Sequence, residues 1–396
     1  LPQEQTVSLI RSERSSAALL LGAAVLGLVL ANTAVGSSLM AVQDSHLAIP
    51  ALGLDLSVGH WISDGLLAVF FFIVAVELKH ELIAGELNSV RKAVHPAIAA
   101  VGGVLVPALI YLAITAGGRY AQGWPVPTAT DIAFALGVLA VFGRGLPNRL
   151  RVFLLALAVL DDLIAIVIIA VFFTTDPDLG MLGLAAISAA AFGLLSRLRR
   201  GRMRVPLGIL MALLAALTWI LVYRSGVHAT IAGVVLGLVM AREPGRRVTH
   251  ALEPWSNGLI LPVFAFSAAL VAIPQVSLGQ LAAPFWGILI ALPVGKLIGI
   301  TLGGWLGSFI GRDGRPPRIP LRSLIVISSL GGIGFTVSLL MNELAFSDSE
   351  EIVDEGTLAV LLGSGVSIVL AGFLVSALTR AHRRAHPVPE HPLPER

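Results

Sequence analysis

The sequence predicts an all-α polytopic membrane protein of about twelve transmembrane helices, arranged as inverted-topology repeats with two broken, crossing helices at spans four and eleven. Three observations lead there. Of 396 residues, 56% are hydrophobic and only 13% charged, with a mean hydropathy of +0.89. Soluble domains are about 25% charged, so charges this sparse cannot coat a water-facing surface. The apolar residues come in long unbroken runs, which excludes a β-barrel of alternating segments about ten residues long. Finally, adjacent acids, Asp161-Asp162, sit in the run 150–173 with eleven residues on either side. At about 1.5 Å rise per residue the pair lies about 16 Å from each end, near the bilayer midplane. A charge there is expensive and by default marks function.

The apolar runs are 15–36, 60–84, 93–117, 122–143, 149–174, 179–196, 205–223, 226–241, 255–273, 284–310, 322–346 and 356–379. Each is close to the roughly 17–25 residues a spanning helix needs. The first is too long for a signal-peptide core and is predicted as a real span. Between the first two, residues 48–58 alternate in polarity and are too short to cross, which fits a small external β-hairpin. Residues 1–380 form a single transmembrane domain, and the proline-rich tail 381–396 is predicted to be disordered and cytoplasmic.

The connectors orient the chain. One set carries Arg91 and Lys92; Arg144, Arg149 and Arg151; five arginines between Arg197 and Arg204; Arg242, Arg246 and Arg247; and four from Arg312 to Arg322. The alternate set holds only Arg119 and Arg224, with Asp176, Asp178, Asp348, Glu350, Glu351, Asp354 and Glu355. This asymmetry predicts an even number of spans with both termini cytoplasmic. The net charge of +3 therefore meets anionic lipid headgroups rather than nucleic acid; no basic patch is interleaved with aromatics. With no cysteine, neither disulfides nor cysteine–metal sites are possible.

Two runs are poor helices. The fourth holds Pro125 and Pro127 between Gly123 and Asp131, and the eleventh holds Gly331, Gly332 and Gly334. Proline removes an amide donor and glycine loosens the backbone, so both helices are predicted to break inside the membrane. Unwound backbone at that depth must line a cavity or be buried in protein. The breaks are about 200 residues apart and each is followed by one further span, the pattern of an inverted-repeat transporter with its site at the crossing.

Membrane-depth charges converge on that crossing: Asp161, Asp162, Asp131 next to Thr130, and Lys296 halfway through the tenth run. Neighbouring residues on a helix diverge by about 100°, so one aspartate can face Lys296 while the other opens to water. A lone Asp–Lys pair could be structural glue, and Asp131 a plain helix cap. Three carboxylates against one lysine leave excess negative charge, which glue does not require; protons or a small cation must neutralise it. Burial and like charge both favour a protonated carboxyl, so such a group can exchange its proton for a hard cation. Asp162, Thr130 and unwound backbone supply suitable oxygens. If the breaks cross, Asp131 also offsets the positive ends of the half-helices.

The segments Pro127 to Leu139, Leu160 to Leu163, Ser225 to Thr230, Gly295-Lys296 and Gly332 to Thr336, with their spacing, resemble the NhaA-type sodium/proton antiporters from about Trp61 to Leu378. The resemblance implies that Asp162 binds the ion, that Asp161 forms a switchable pair with Lys296, and that Asp131 and Thr130 sit at the crossing. It implies electrogenic exchange of cytoplasmic Na⁺ or Li⁺ for external protons, faster at alkaline pH, by a homodimer in the bacterial cytoplasmic membrane, with no cofactor. Glu77, Lys79, Glu81 and His250 would form a pH-sensing cytoplasmic funnel. His80, Thr249 and the stretch Phe264 to Leu270 depart from the family pattern, which bears on pH response more than on exchange. His228 is expected to be a hydrogen-bonded structural histidine. A sodium-coupled solute symporter shares the architecture. An intramembrane aspartyl protease would place its acids on two helices with a Gly-x-Gly-Asp element, absent here, and a channel would be obstructed by Lys296.

Overall fold

The computed structural model describes residues 13–85, 87–116, 118–143, 146–174, 176–198, 204–273, 278–310 and 319–385. Helix α1 (Glu13–Ala31) ends at a turn of 109° into α2 (Gly36–Asp44). The short α2 has no counterpart among the apolar runs because it is partly polar. Strands β1 (His46–Ile49) and β2 (Leu54–Ser57) pair antiparallel, with His46 opposite Ser57. Gly53, at φ 65°, turns the hairpin in the left-handed region that glycine tolerates. Next come α3 (Val58–Ala84) and α4 (Val90–Ile114).

The fourth run is unwound as expected. Two single 3₁₀ turns, Ala121–Gly123 and Val126–Thr128, are followed by extended backbone at Ala129 before α5 (Ile132–Phe142) begins. Helices α6 (Asn148–Phe172), α7 (Leu179–Ser196), α8 (Arg204–Arg224) and α9 (Thr230–Val239) follow. A π-helical turn, Ser256–Ile260, joins α10 (Arg242–Trp255) to α11 (Leu261–Ala268), and another, Ala291–Gly295, joins α12 (Ala283–Ile290) to α13 (Lys296–Gly307). The eleventh run splits into α14 (Leu321–Gly331) and α15 (Phe335–Ala345), bent by 50°. Helix α16 (Glu350–Ala385) is last.

Among the described residues, eight helices are long and apolar enough to cross a membrane, or ten if each bent pair is one span. The twelve apolar runs differ from this at two places. The eighth run yields only the ten residues of α9. The ninth does not begin at 255: its helix starts at Arg242, because α10 is charged on one face and invisible to hydropathy, yet continues without a break into α11. Helix α16 also continues past residue 381, where the tail was expected to begin, to Ala385; residues 386–396 lie outside the described ones.

Small residues set the helix packing at the centre. Gly295, Gly299, Gly303 and Gly307 recur every four residues along one stripe that faces α4. A Cβ on Gly299 would lie 2.1 Å from Gly102 O, and one on Gly303 would lie 2.4 Å from Ile98 O. Backbone therefore touches backbone, the close approach that glycine stripes give helices in lipid. Lys296 projects from the first turn of this tightly held helix.

Candidate ion site at the crossing of two broken helices

The break before α5 and the break between α14 and α15 meet. Asp131 N–H donates to Ile333 O at 2.6 Å and Thr130 Oγ1 donates to Gly331 O at 2.8 Å. The Asp131 carboxylate caps its own helix through Phe134 N–H, 3.1 Å from Oδ1. Its other oxygen accepts from both Thr336 N–H, at 3.2 Å, and Thr336 Oγ1, at 2.7 Å. One anion thus serves the amino ends of two half-helices, α5 and α15, whose unpaired N–H groups carry partial positive charge. The cap and the compensating charge are the same group.

The opposite polarity is handled alongside. Helix α14 ends at Gly331, and the Thr130 hydroxyl that takes its carbonyl lies 3.1 Å from Lys296 Nζ. The ammonium continues to Asp161 Oδ2 at 2.5 Å, with both side chains buried. Lys296 is positioned by the glycine stripe and by the π-helical turn ending at Gly295, which shifts the register of side chains after it. Asp161 Oδ1 is buried with no hydrogen-bond partner among the described residues.

Asp162 points elsewhere. It is 4% exposed and receives no hydrogen bond from a described residue; the charges acting on it are those of Asp161, Asp131, Lys296 and Glu77. Together with Thr130, Asp131 and Thr336 it forms the floor of an open cavity of about 830 Å³. Glu77, His80 and Glu81 of α3 and Thr249, His250 and Glu253 of α10 line the walls, and exposed Glu243, Arg246 and Arg247 ring the mouth. The arrangement brings a water-reachable carboxylate to the foot of a charged funnel, beside a second carboxylate locked to a lysine.

Of the residues singled out from sequence, Asp162, Asp131, Thr130, Glu77, Glu81 and His250 thus share one cavity, and Asp161 and Lys296 pair just behind it. Lys79 does not join them: its Nζ donates to Leu238 O at 2.6 Å and Met240 O at 2.8 Å, capping the carboxyl end of α9. Thr336 was given no role from sequence, though a hydroxyl in the first turn after a glycine break is a cue to capping.

The sequence matches the Na+/H+ antiporter 1 family profile over residues 7–375. It is 63% identical to the Na(+)/H(+) antiporter NhaA 2 of Clavibacter michiganensis subsp. michiganensis, over 96% of this chain and 93% of that one. The chain belongs to the NhaA family of Na⁺/H⁺ antiporters. Other relatives are the Na(+)/H(+) antiporter NhaA of Tropheryma whipplei, 47% identical over 93% of this chain and 95% of that one, and NhaA 3 of Streptomyces coelicolor, 45% identical over 94% and 80%. As an NhaA-family member it is a multi-pass membrane protein and a secondary transporter rather than an enzyme.

Of the positions read above as departures from the family pattern, His80 and Thr249 fall in the cavity wall and the stretch Phe264 to Leu270 does not. His80 Nδ1 and Thr249 Oγ1 are buried with no hydrogen-bond partner among the described residues. Glu253, a further wall residue that sequence reasoning missed, stands four residues after Thr249, hence near the same helix face. Its charge is the one that acts most strongly on Glu77, ahead of that of Glu81.

Proposed function

We propose that the protein exports Na⁺ or Li⁺ in exchange for external protons across the bacterial cytoplasmic membrane, electrogenically and by alternating access. The supporting observation is the placement of Asp162: a buried, unpaired carboxylate at the floor of a cavity open on one side, next to the compensated crossing. In this cycle Asp162 binds the cation when it loses its proton and expels it when reprotonated from the other side. Asp161 alternates between Lys296 and a proton as the ion comes and goes. Thr130, with one lone pair left after accepting from Lys296, and the unwound carbonyls complete an oxygen shell for the hard cation.

Arg246 and Arg247 at the mouth support a cytoplasmic cavity side through the positive-inside bias; both termini then share that side and the hairpin is external. Twelve crossings follow if α9 completes its span with 225–229 and α11 counts as the ninth, and the paired breaks then relate two inverted repeats. Glu77, Glu81, Glu253 and His250 respond to cytoplasmic pH within the funnel. β1 is exposed along its length and suits pairing with a second copy, giving a homodimer bedded in anionic lipid.

A pH-gradient assay in proteoliposomes tests the reading. Each alkali cation is added in turn across a pH series, with the membrane potential clamped or left free. Na⁺ and Li⁺ should collapse the gradient in the wild type and fail to do so in Asp162→Asn. Near-normal exchange by that variant would overturn the assignment of the ion to Asp162.

A further inference from the structure

Helices α11 and α15 line two cavities, back to back. Towards the charged funnel they contribute Leu261, Thr336 and Val337. Towards the opposite end they contribute Phe264, Ser267, Leu339 and Glu343 to a second cavity of about 200 Å³. Leu261 to Phe264 and Val337 to Leu339 are three residues or fewer, a rise of about 3–5 Å. Less than one helical turn separates the two linings, with the buried side chains of Phe264 and Leu339 at the edge of the second cavity.

The charged side chains lining the second cavity are all acidic. Asp44 of α2 and Glu350 and Asp354 of α16 line it, with Glu343 of α15 inside. The Glu343 carboxylate interacts with His60 and Asp64 of α3 and with His228, and lines the cavity beside Ser63, whose hydroxyl donates to Asp64 Oδ1 at 3.4 Å. Those partners are themselves arranged: His228 Nε2 is 3.3 Å from Asp64 Oδ1 and its Nδ1 is 2.7 Å from Thr230 Oγ1, while His60 Nδ1 is 2.8 Å from Ser57 Oγ. Glu343 also follows Thr336, the partner of Asp131, by seven residues. Two helical turns place it on the same face of α15, about 10 Å further along.

We propose that Glu343 is the outer proton-exchange group of the transporter. It takes a proton from water in the acidic vestibule and, when the Phe264–Leu339 layer opens, passes it to the Asp131–Asp162 floor; on the return half-cycle it is reloaded from outside. A merely structural acid has no need of an open cavity on one side and the reaction floor two turns away on the other. The inference rests on the exchange reading above.

The test uses the full chain in right-side-out and everted membrane vesicles, reading Na⁺-driven proton movement while pH is varied on one side at a time. Glu343→Gln should slow exchange about tenfold and flatten its dependence on outer pH, with half-saturating Na⁺ unchanged. That loss is smaller than the ~10²-fold of positioned acid–base groups, because vestibule water offers a parallel route. Glu343→Asp should keep most of the rate and move the outer-pH profile. Wild-type rate and outer-pH dependence in Glu343→Gln would overturn the proposal, as would a change confined to inner pH. If Glu343→Gln does not fold, an unmoved outer-pH profile in Glu343→Asp overturns it instead. Failure of the exchange reading looks different: the folded wild type would itself move no protons on Na⁺ addition.

Discussion

Lys296 reaches Asp161 across 135 positions of sequence, placing Nζ 2.5 Å from Oδ2, while Asp162, one residue on, turns into the funnel. The pair divides two tasks between adjacent acids. Asp161 holds a buried cation of the protein's own, and Asp162 faces the side from which a foreign cation arrives. Removing one partner of such a pair strands a buried charge, whereas removing both does not.

Lys296→Ala should therefore destabilise the protein by about 3 kcal/mol, the lower range for an orphaned buried partner. Asp161→Asn with Lys296→Met should recover most of that loss. Thermal midpoints in detergent measure both, and a double variant no more stable than Lys296→Ala would refute the pairing energetics.

Asp131 accepts hydrogen bonds from two half-helix amino ends. Asp131→Ala should cost about 2 kcal/mol, roughly two caps at ~1 kcal/mol each. Asp131→Asn keeps an acceptor oxygen and should unfold at a higher temperature than Asp131→Ala. Equal midpoints would mean that charge alone, without hydrogen bonding, holds the crossing.

The glycine stripe makes a steric prediction. Gly299→Ala places its Cβ against Gly102 O, where the contact would be 2.1 Å, so α4 and α13 must separate and Lys296 moves with them. Both stability and exchange should fall. Gly208→Ala, with nothing within 4 Å of the added carbon, should fold as well as the wild type or better, by up to about 1 kcal/mol of helix propensity. Vesicle transport and melting curves for the two variants give the contrast.

Lys79 and its neighbours on α3 separate structure from pH response. Lys79→Ala removes two hydrogen bonds at the end of α9 and should lower stability by about 1 kcal/mol while leaving the pH–activity profile in place. Glu77→Gln and Glu81→Gln, in the cavity wall, should move that profile with smaller effects on melting. A profile shift in Lys79→Ala equal to theirs would return Lys79 to the funnel.

Much of this molecule is readable before any coordinates. Hydropathy is local, so the membrane class and ten of the twelve runs follow from residues near one another in the chain. The breaks at Gly123 to Asp131 and Gly331 to Gly334 are equally local, since proline lacks a donor and glycine lacks a side chain wherever they occur. The depth of Asp161-Asp162 needs only counting. Where sequence fell short, the determinant was distant or directional. Helix α10 turns its charged face to the cavity it borders and carries no apolar stretch, so hydropathy missed its start at Arg242.

Tertiary structure alone decided the rest. Which aspartate meets Lys296 depends on how α6 is turned towards α13, and α13 is itself held by Gly299 packing on Gly102 of α4, far away in sequence. The same holds for Lys79, turned from the funnel by carbonyls exposed where α9 stops, and for Glu343, whose neighbours His60, Asp64 and His228 come from two other segments. Composition and pattern establish that a segment crosses the bilayer and at what depth its charges lie. The direction those charges face is a property of helix packing, because successive side chains differ by about 100° and only contact with other helices selects among them.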